Sequence, residues 1–198
     1  MRIKKFLIFI SFIIINLSYI SNSYSIEPDV FVQSTVNRAS QALKNNLTKE
    51  KKIEELKKIA KETVDIKGIG YYTLGAYRKN LSEDQKKEYL ILFEEYFLKT
   101  FSSRLAEYSN PEIEVKSKKK LNENYTMVQS VFVATEKRPE VKIDWRIYTK
   151  NPKNLLIRDL IIEGLSLART QKEEFSSIIQ SNDGNINALF ISLKKFVE

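Results

Sequence analysis

The sequence has neither cysteine nor histidine, and the two absences together remove most of the chemistry a small protein could carry. Without cysteine there is no disulfide, no thiol nucleophile and no lipid-modified N-terminal cysteine, so the folded domain must stand on its core alone. Without histidine there is no Ser-His-Asp triad, no Cys-His pair and no ordinary zinc site. Carboxylates, lysine and tyrosine remain for acid-base work, and no spacing singles out a pair. Asp159 and Glu163 stand four apart in a predicted strand and share a face. Acid and base is one reading of them, and Asp144 is another possible base. The plainer reading has Asp159 satisfying local donors and Glu163 belonging to the strand's exit turn.

Arginine is also scarce. Lysine outnumbers it 25 to 8 within a formal charge of +8. A nucleic-acid reader would want arginine and exposed aromatics along one surface, so no nucleic-acid partner is expected. Much of the lysine excess sits in Lys116 to Lys120, read as the tip of a hairpin. Such a run could be drawn weakly to anionic headgroups, at about 1 kcal/mol per well-placed lysine, although a solvated loop accounts for it as well.

Long apolar runs are missing except at the start. Met1 to Lys5 is basic, Phe6 to Ile20 is almost wholly apolar, and small residues follow at Ser23 and Ser25. That pattern is a secretory leader cleaved after Ser25, since a spanning helix needs about 20 apolar residues. Removing its three cations lowers the formal charge from +8 to +5. Residues 26–198 are then expected to form one exported domain.

Within that domain, Val32, Val36, Ala39 and Leu43 recur at helical spacing, and Ile53, Leu56, Ala60 and Val64 repeat the pattern over Lys49 to Val64. Asp65 to Leu74, with Gly68 and Gly70, is softer. Ser82-Glu83-Asp84-Gln85 reads as a capping box with acids in the first turn. It opens a long helix whose face carries Tyr89, Phe93, Tyr96, Phe97, Phe101, Leu105 and Tyr108, up to Asn110-Pro111. On periodicity alone that stripe reads as core.

From Glu112 the period changes to two. Ile113 and Val115 open one strand, Lys118 to Asn124 turns the chain, Tyr125 to Thr135 makes a second strand, and Glu136 to Glu140 reverses it. Val141, Ile143, Trp145 and Ile147 alternate with polar residues in a third. After Asn151-Pro152-Lys153-Asn154, Leu155 to Ile162 is apolar on both alternating sets except at Arg158 and Asp159, which suggests the middle of the sheet. Glu163-Gly164 breaks this strand and Ser166 can cap the helix that follows. The class is α+β: helices before and after an antiparallel meander of four strands.

The strand ending Arg158-Asp159, then Glu163, Gly164 and Ser166, then a helix with Phe175, resembles the Mla periplasmic phospholipid carriers, the toluene-tolerance family. A second block resembles the same family's central segment: Leu74-Gly75-Ala76-Tyr77-Arg78, Ser82, Gln85 and a helix with Tyr89, Phe93 and Tyr96. The resemblance implies a cystatin-like or nuclear-transport-factor-like cone. It implies a periplasmic monomer without cofactor or catalytic activity, carrying phospholipid as cargo. Its implied partners are an outer-membrane lipoprotein-porin complex and an inner-membrane ABC transporter, in a pathway that maintains outer-membrane lipid asymmetry.

Energetics give that reading a shape. A phospholipid crossing water exposes two chains of about fifteen methylenes, a gross penalty of ~24 kcal/mol at about 0.8 kcal/mol each. A soluble carrier must therefore enclose the chains in an apolar cavity between helices and sheet, with the headgroup near the mouth. By apolar face and by the two matching blocks, the expected walls are Tyr72, Leu74, Phe93, Phe97, Phe101, Val131, Val133, Ile143, Trp145, Ile147, Leu160, Ile162 and Leu165. Arg146, Arg158 and Asp159 depart from a greasy lining; if they face inward, the pocket is narrower or they contact a headgroup. Two rival readings are an enzyme on the same cone using Asp159 or Asp144, and an exported adaptor with a filled core.

Overall fold

The structure, a computed structural model, describes residues 25–44, 46–108, 111–136 and 139–198. The expected leader lies outside the described residues except for Ser25, and so does Asn110, expected at the end of the long helix.

Helix α1 runs Pro28–Ala42, with the proline at its first turn where its missing N–H costs nothing. Helix α2, Lys49–Thr63, starts at Thr48, whose side chain accepts the Lys51 N–H. Helix α3, Ile66–Thr73, is capped by Asp65, which accepts the Gly68 N–H at 2.8 Å. The segment expected to be soft is thus a short helix followed by a 3₁₀ turn, Gly75–Asn80, with Gly75 at φ 54. Helix α4, Glu83–Leu105, opens on the expected capping box: Ser82 Oγ accepts the Gln85 N–H at 3.2 Å, and Gln85 Oε1 accepts the Ser82 N–H at 2.9 Å.

Strands β1 (Ile113–Asn122), β2 (Tyr125–Phe132), β3 (Val141–Tyr148), β4 (Leu156–Ile162) and β5 (Leu165–Ser166) pair antiparallel in chain order. Helices α5 (Leu167–Gln180) and α6 (Ile186–Val197) complete the chain. Ser166 caps α5 by accepting the Arg169 N–H.

Three expectations change. The sheet has five strands, because the chain pairs Ile161 with Ser166 and Ile162 with Leu165 as it turns into α5. Lys116 to Lys120 are not a hairpin tip but part of β1, and the reversal is at Glu123-Asn124. β1 is an edge strand, where lysines are tolerated because they face water and discourage further pairing. The middle of the sheet is β3, not β4. β4 is apolar on both sets for another reason: α3 and α5 pack against it.

α1 packs on β1 and β2, and α4 packs mainly against α2, α3 and α6. One large core joins the helices to the sheet through Val32, Val36, Leu74, Tyr89, Phe93, Val128, Ile147, Phe175 and Leu189, all at most 3% exposed. A smaller cluster, Ala42, Leu43, Leu56 and Ile59, closes the α1–α2 end.

Candidate functional site

Register divides the sheet into two faces, because residues directly opposite in antiparallel strands point the same way. On the inner face Thr126, Val128 and Ser130 stand opposite Ile147, Trp145 and Ile143, which stand in turn opposite Ile157, Leu160 and Ile162. Burial on this face is graded. Val128, Ile147 and Ile157 are closed against the helices, whereas Leu160, Ile162, Phe132, Ile113 and Val115 toward the other end are half-buried. The Trp145 indole N–H donates to Ser130 Oγ at 2.8 Å, and Ser130 donates to the Ile143 carbonyl, so the polar atoms in this layer are used within it.

The β3–β4 pairing slips between Arg146 and Ile147, and Arg158 is the unpaired residue of the bulge. The bulge puts Asp159 opposite Arg146 on the outer face and frees the Arg158 side chain to reach sideways. Arg158 Nε bonds Asp65 Oδ2, its Nη1 donates to Tyr125 Oη at 3.4 Å, and its guanidinium lies 4.8 Å from the centre of the Tyr148 ring. Asp159 is 4% exposed; it accepts the Ser166 hydroxyl at 2.6 Å and the Ala168 N–H at 3.0 Å. Asp159 therefore satisfies local donors, and Glu163, at φ 48, lies in the exit turn and bonds the Lys142 N–H.

The outer edge of β4 is covered at two places. Val64 bridges Ile157 in parallel fashion, with the Asp65 N–H on the Ile157 carbonyl, and β5 covers Ile161 and Ile162. Arg158, Asp159 and Leu160 lie between these pairings. At this gap a cavity of about 410 Å³ is lined by Gly68, Ile69, Tyr72, Leu121, Asn122, Tyr125, Arg146, Arg158, Asp159 and Ala168. Ile69 and Ala168 also belong to the main core, so the cavity abuts it. A larger depression of about 690 Å³, over α2, α4 and the end of α6, is lined by Lys57, Lys58, Lys61 and Lys99 with Glu62 and Glu95, and only Leu98 and Val197 are apolar there. Among the described residues no carboxylate cluster is placed to hold a metal ion.

The expected wall residues fall into distinct groups. Leu74, Phe93 and Ile147 are at most 1% exposed, and Ile143 and Trp145 are buried beside them. Phe93 stacks with Tyr89 and Phe97 and meets Phe175 edge-on, so this part of the aromatic stripe is packed core. Phe97 and Phe101 stack at 5.5 Å and are half-buried, like Leu160 and Ile162. Val131 lies on the outer face, opposite Lys142, and Val133 follows the end of β2; both are half-buried. Leu165 is 59% exposed. Of the thirteen, Tyr72 alone lines the 410 Å³ cavity.

Between helices and sheet the expected wall residues Leu74, Phe93, Ile143, Trp145 and Ile147 belong to one buried core. The 410 Å³ cavity beside that core is partly polar. Sequence reasoning missed Gly68, Ile69, Asn122, Tyr125 and Ala168 as cavity residues. Its pointers were Arg146, Arg158 and Asp159, which depart from a greasy lining.

Over residues 33–195 the sequence matches the family described as MlaC protein. The fold is similar to that of a phospholipid-binding protein from Ralstonia solanacearum solved in complex with a phospholipid. The TM-score is 0.73 at 19% identity, covering 87% of this chain and 97% of that one.

Proposed function

The chain belongs to the MlaC family, and from that premise we propose that it is a soluble periplasmic carrier that encloses the acyl chains of a phospholipid. It works as a monomer between an outer-membrane lipoprotein-porin complex and an inner-membrane ABC transporter. The observation that carries this reading is the family match, which runs from within α1 to within α6. The phospholipid bound by the structurally similar Ralstonia protein supports it.

Volume decides how the lipid could be held. Taking a methylene as about the size of a water molecule, which occupies ~30 Å³ in the liquid, two chains of about fifteen carbons need ~900 Å³. The cavity offers about 410 Å³. That cavity alone does not hold both chains, and in this reading they enter between the helices and the inner sheet face. The half-buried side chains Phe97, Phe101, Leu160 and Ile162 form the wall that opens at least cost, because they lose the least packing. Because stripping both chains into water costs so much, loading and unloading take place while docked to a partner.

Organic extraction of protein purified from a Gram-negative periplasm, followed by mass spectrometry, tests the proposal. Stoichiometric phospholipid is expected; its absence would overturn the carrier reading. The buried core between helices and sheet favours a second reading, an exported adaptor without cargo, for which the same extraction yields nothing. An enzyme using Asp159 is the weakest rival, since both oxygens of that carboxylate are occupied by Ser166 and Ala168.

A further inference from the structure

The cavity at the gap in β4's edge has a charge arrangement that the enclosure of acyl chains does not use. Its carboxylates are satisfied by other groups. Asp159 is held by the Ser166 hydroxyl and the Ala168 N–H, and the adjacent Asp65 by the Gly68 N–H and Arg158. Arg158 is committed in turn to Asp65, Tyr125 and the Tyr148 ring. Arg146 differs from these. It rises from the outer face of β3 into the cavity with its side chain 42% exposed, and the Asp159 oxygen nearest it is 3.8 Å away, beyond hydrogen-bond distance. Beside the same wall, Lys172 Nζ sits 5.4 Å from the centre of the Tyr72 ring. Of the charged residues that line the cavity, Arg146 and Arg158 stand against Asp159 and leave one positive charge in excess.

We propose that this cavity is a phosphate subsite in which Arg146 holds the singly charged phosphodiester of a lipid headgroup. An arginine fork with unused N–H groups suits paired phosphate oxygens. Tyr125 accepts from Arg158 and so has its own proton to donate; Asn122 accepts the Asn124 N–H through Oδ1 and keeps its amide N–H groups. Position supports the assignment as strongly as charge. The gap leaves the edge of β4 without a neighbouring strand from Arg158 to Leu160, and Leu160 is the half-buried inner-face residue opposite Trp145. A phosphate at Arg146 therefore sets the glycerol at the gap, with the chains directed past Leu160, Ile69 and Ala168 toward the apolar layer. The cavity's size fits a head and glycerol and leaves the chains to the layer behind. Naming a lipid as the source rests on the carrier reading; the anion chemistry does not.

The test equilibrates the protein with detergent-dispersed phosphatidylglycerol or with diacylglycerol of the same chains, then measures lipid per protein after re-isolation. Phosphatidylglycerol should be retained over diacylglycerol by about tenfold, the size of one charge-assisted hydrogen bond. Arg146→Gln should bring that ratio close to one, and Arg146→Lys should restore part of it. Equal retention of the two lipids by the unaltered protein, or an unchanged ratio in Arg146→Gln, overturns the proposal. A phosphorus NMR titration with glycerophosphoglycerol and with inorganic phosphate separates the sources. Preference for the diester, lost in Arg146→Gln, supports the headgroup; preference for inorganic phosphate overturns the lipid assignment. If neither lipid is retained, the carrier reading fails alone, and the titration decides the subsite: diester binding lost in Arg146→Gln upholds it, and no binding overturns it.

Discussion

Asp159 Oδ2 accepts the Ser166 hydroxyl at 2.6 Å, fastening the last half of β4 to the first turn of α5. Its other oxygen takes the Ala168 N–H. One buried carboxylate thus meets two donors at a helix start, where the dipole also favours negative charge. This link accounts for the spacing of Asp159, Gly164 and Ser166: the strand ends, Gly164 turns back at φ 83, and the cap arrives under the carboxylate.

Asp159→Ala should therefore destabilise the fold by about 3 kcal/mol, since it strands the Ala168 N–H and strips the cap of its support. Asp159→Asn, which keeps one acceptor, should cost about half as much. Urea unfolding monitored by circular dichroism measures both. If Asp159→Ala left the midpoint unmoved, the carboxylate would not be structural and the enzyme reading would regain force.

Tyr89 and Thr73 give a pH prediction. Thr73 donates to the Gly70 carbonyl at 2.8 Å, so in the 2.8 Å contact between the two hydroxyls Tyr89 is the donor. Burial pushes the Tyr89 phenol far above its ordinary value of 10.0. In the unfolded chain the phenol ionises near pH 10 while in the fold it stays protonated, so the unfolded state binds fewer protons and stability falls as pH rises above that point. The slope from this group approaches about 1.4 kcal/mol per pH unit. Tyr89→Phe should cost about 1 kcal/mol at neutral pH for the lost hydrogen bond and flatten the decline between pH 10 and 12. Tyr96, raised by its own burial against the hydrogen bond to Gln171, leaves a smaller residual slope. Identical alkaline profiles in the two proteins would contradict the assignment.

Gly68 lies inside α3, where alanine would ordinarily stabilise a helix by up to about 1 kcal/mol. Here a Cβ would come within 2.6 Å of Arg158 Cζ and of Asp65 Oδ2. The guanidinium is held on three sides and cannot simply turn away. Gly68→Ala should thus destabilise by about 1–3 kcal/mol, reversing the usual sign, and it should do so much less in an Arg158→Ala background. Equal effects in both backgrounds would show that the guanidinium is not the obstacle.

Much of the architecture was legible because it is local. The capping box at Ser82, the cap at Ser166 and the alternation of Ile143, Trp145 and Ile147 each leave a mark within a few residues. What failed depended on neighbours distant in sequence. Nothing in Leu155 to Ile162 says whether its second apolar set faces another strand or the helices α3 and α5, so the sequence alone reads β4 as the centre. The bulge at Arg158 shifts register by one residue, and with it the face on which Asp159 lies, without any glycine or proline to announce it. Cover along α4 is equally illegible: Phe93 and Phe101 occupy equivalent steps on one helix face, yet one is 1% exposed and the other half-buried, because the contacts of α5 and α6 fall on the first part of α4.

That difference in cover supplies the sharpest test of where the acyl chains go. Ile147 is 0% exposed, between Thr126 and Ile157. A carboxylate there has no route to water, and an uncompensated buried charge costs about 3–5 kcal/mol, so Ile147→Asp should unfold the domain. Ile162 ends β4 on the same inner face and is already half-buried; Val133, just past β2, is likewise half-exposed to solvent. At either site an aspartate can turn toward water, and the far-ultraviolet circular dichroism should stay near that of the unaltered protein. Against a lipid the same aspartate is costly, because an acyl chain lying along that wall would press an apolar surface onto the charge and exclude its hydration. Ile162→Asp and Val133→Asp should therefore be purified folded but depleted of lipid. Retained lipid in both would place the chains elsewhere, and unfolding of both would mean that these side chains are core.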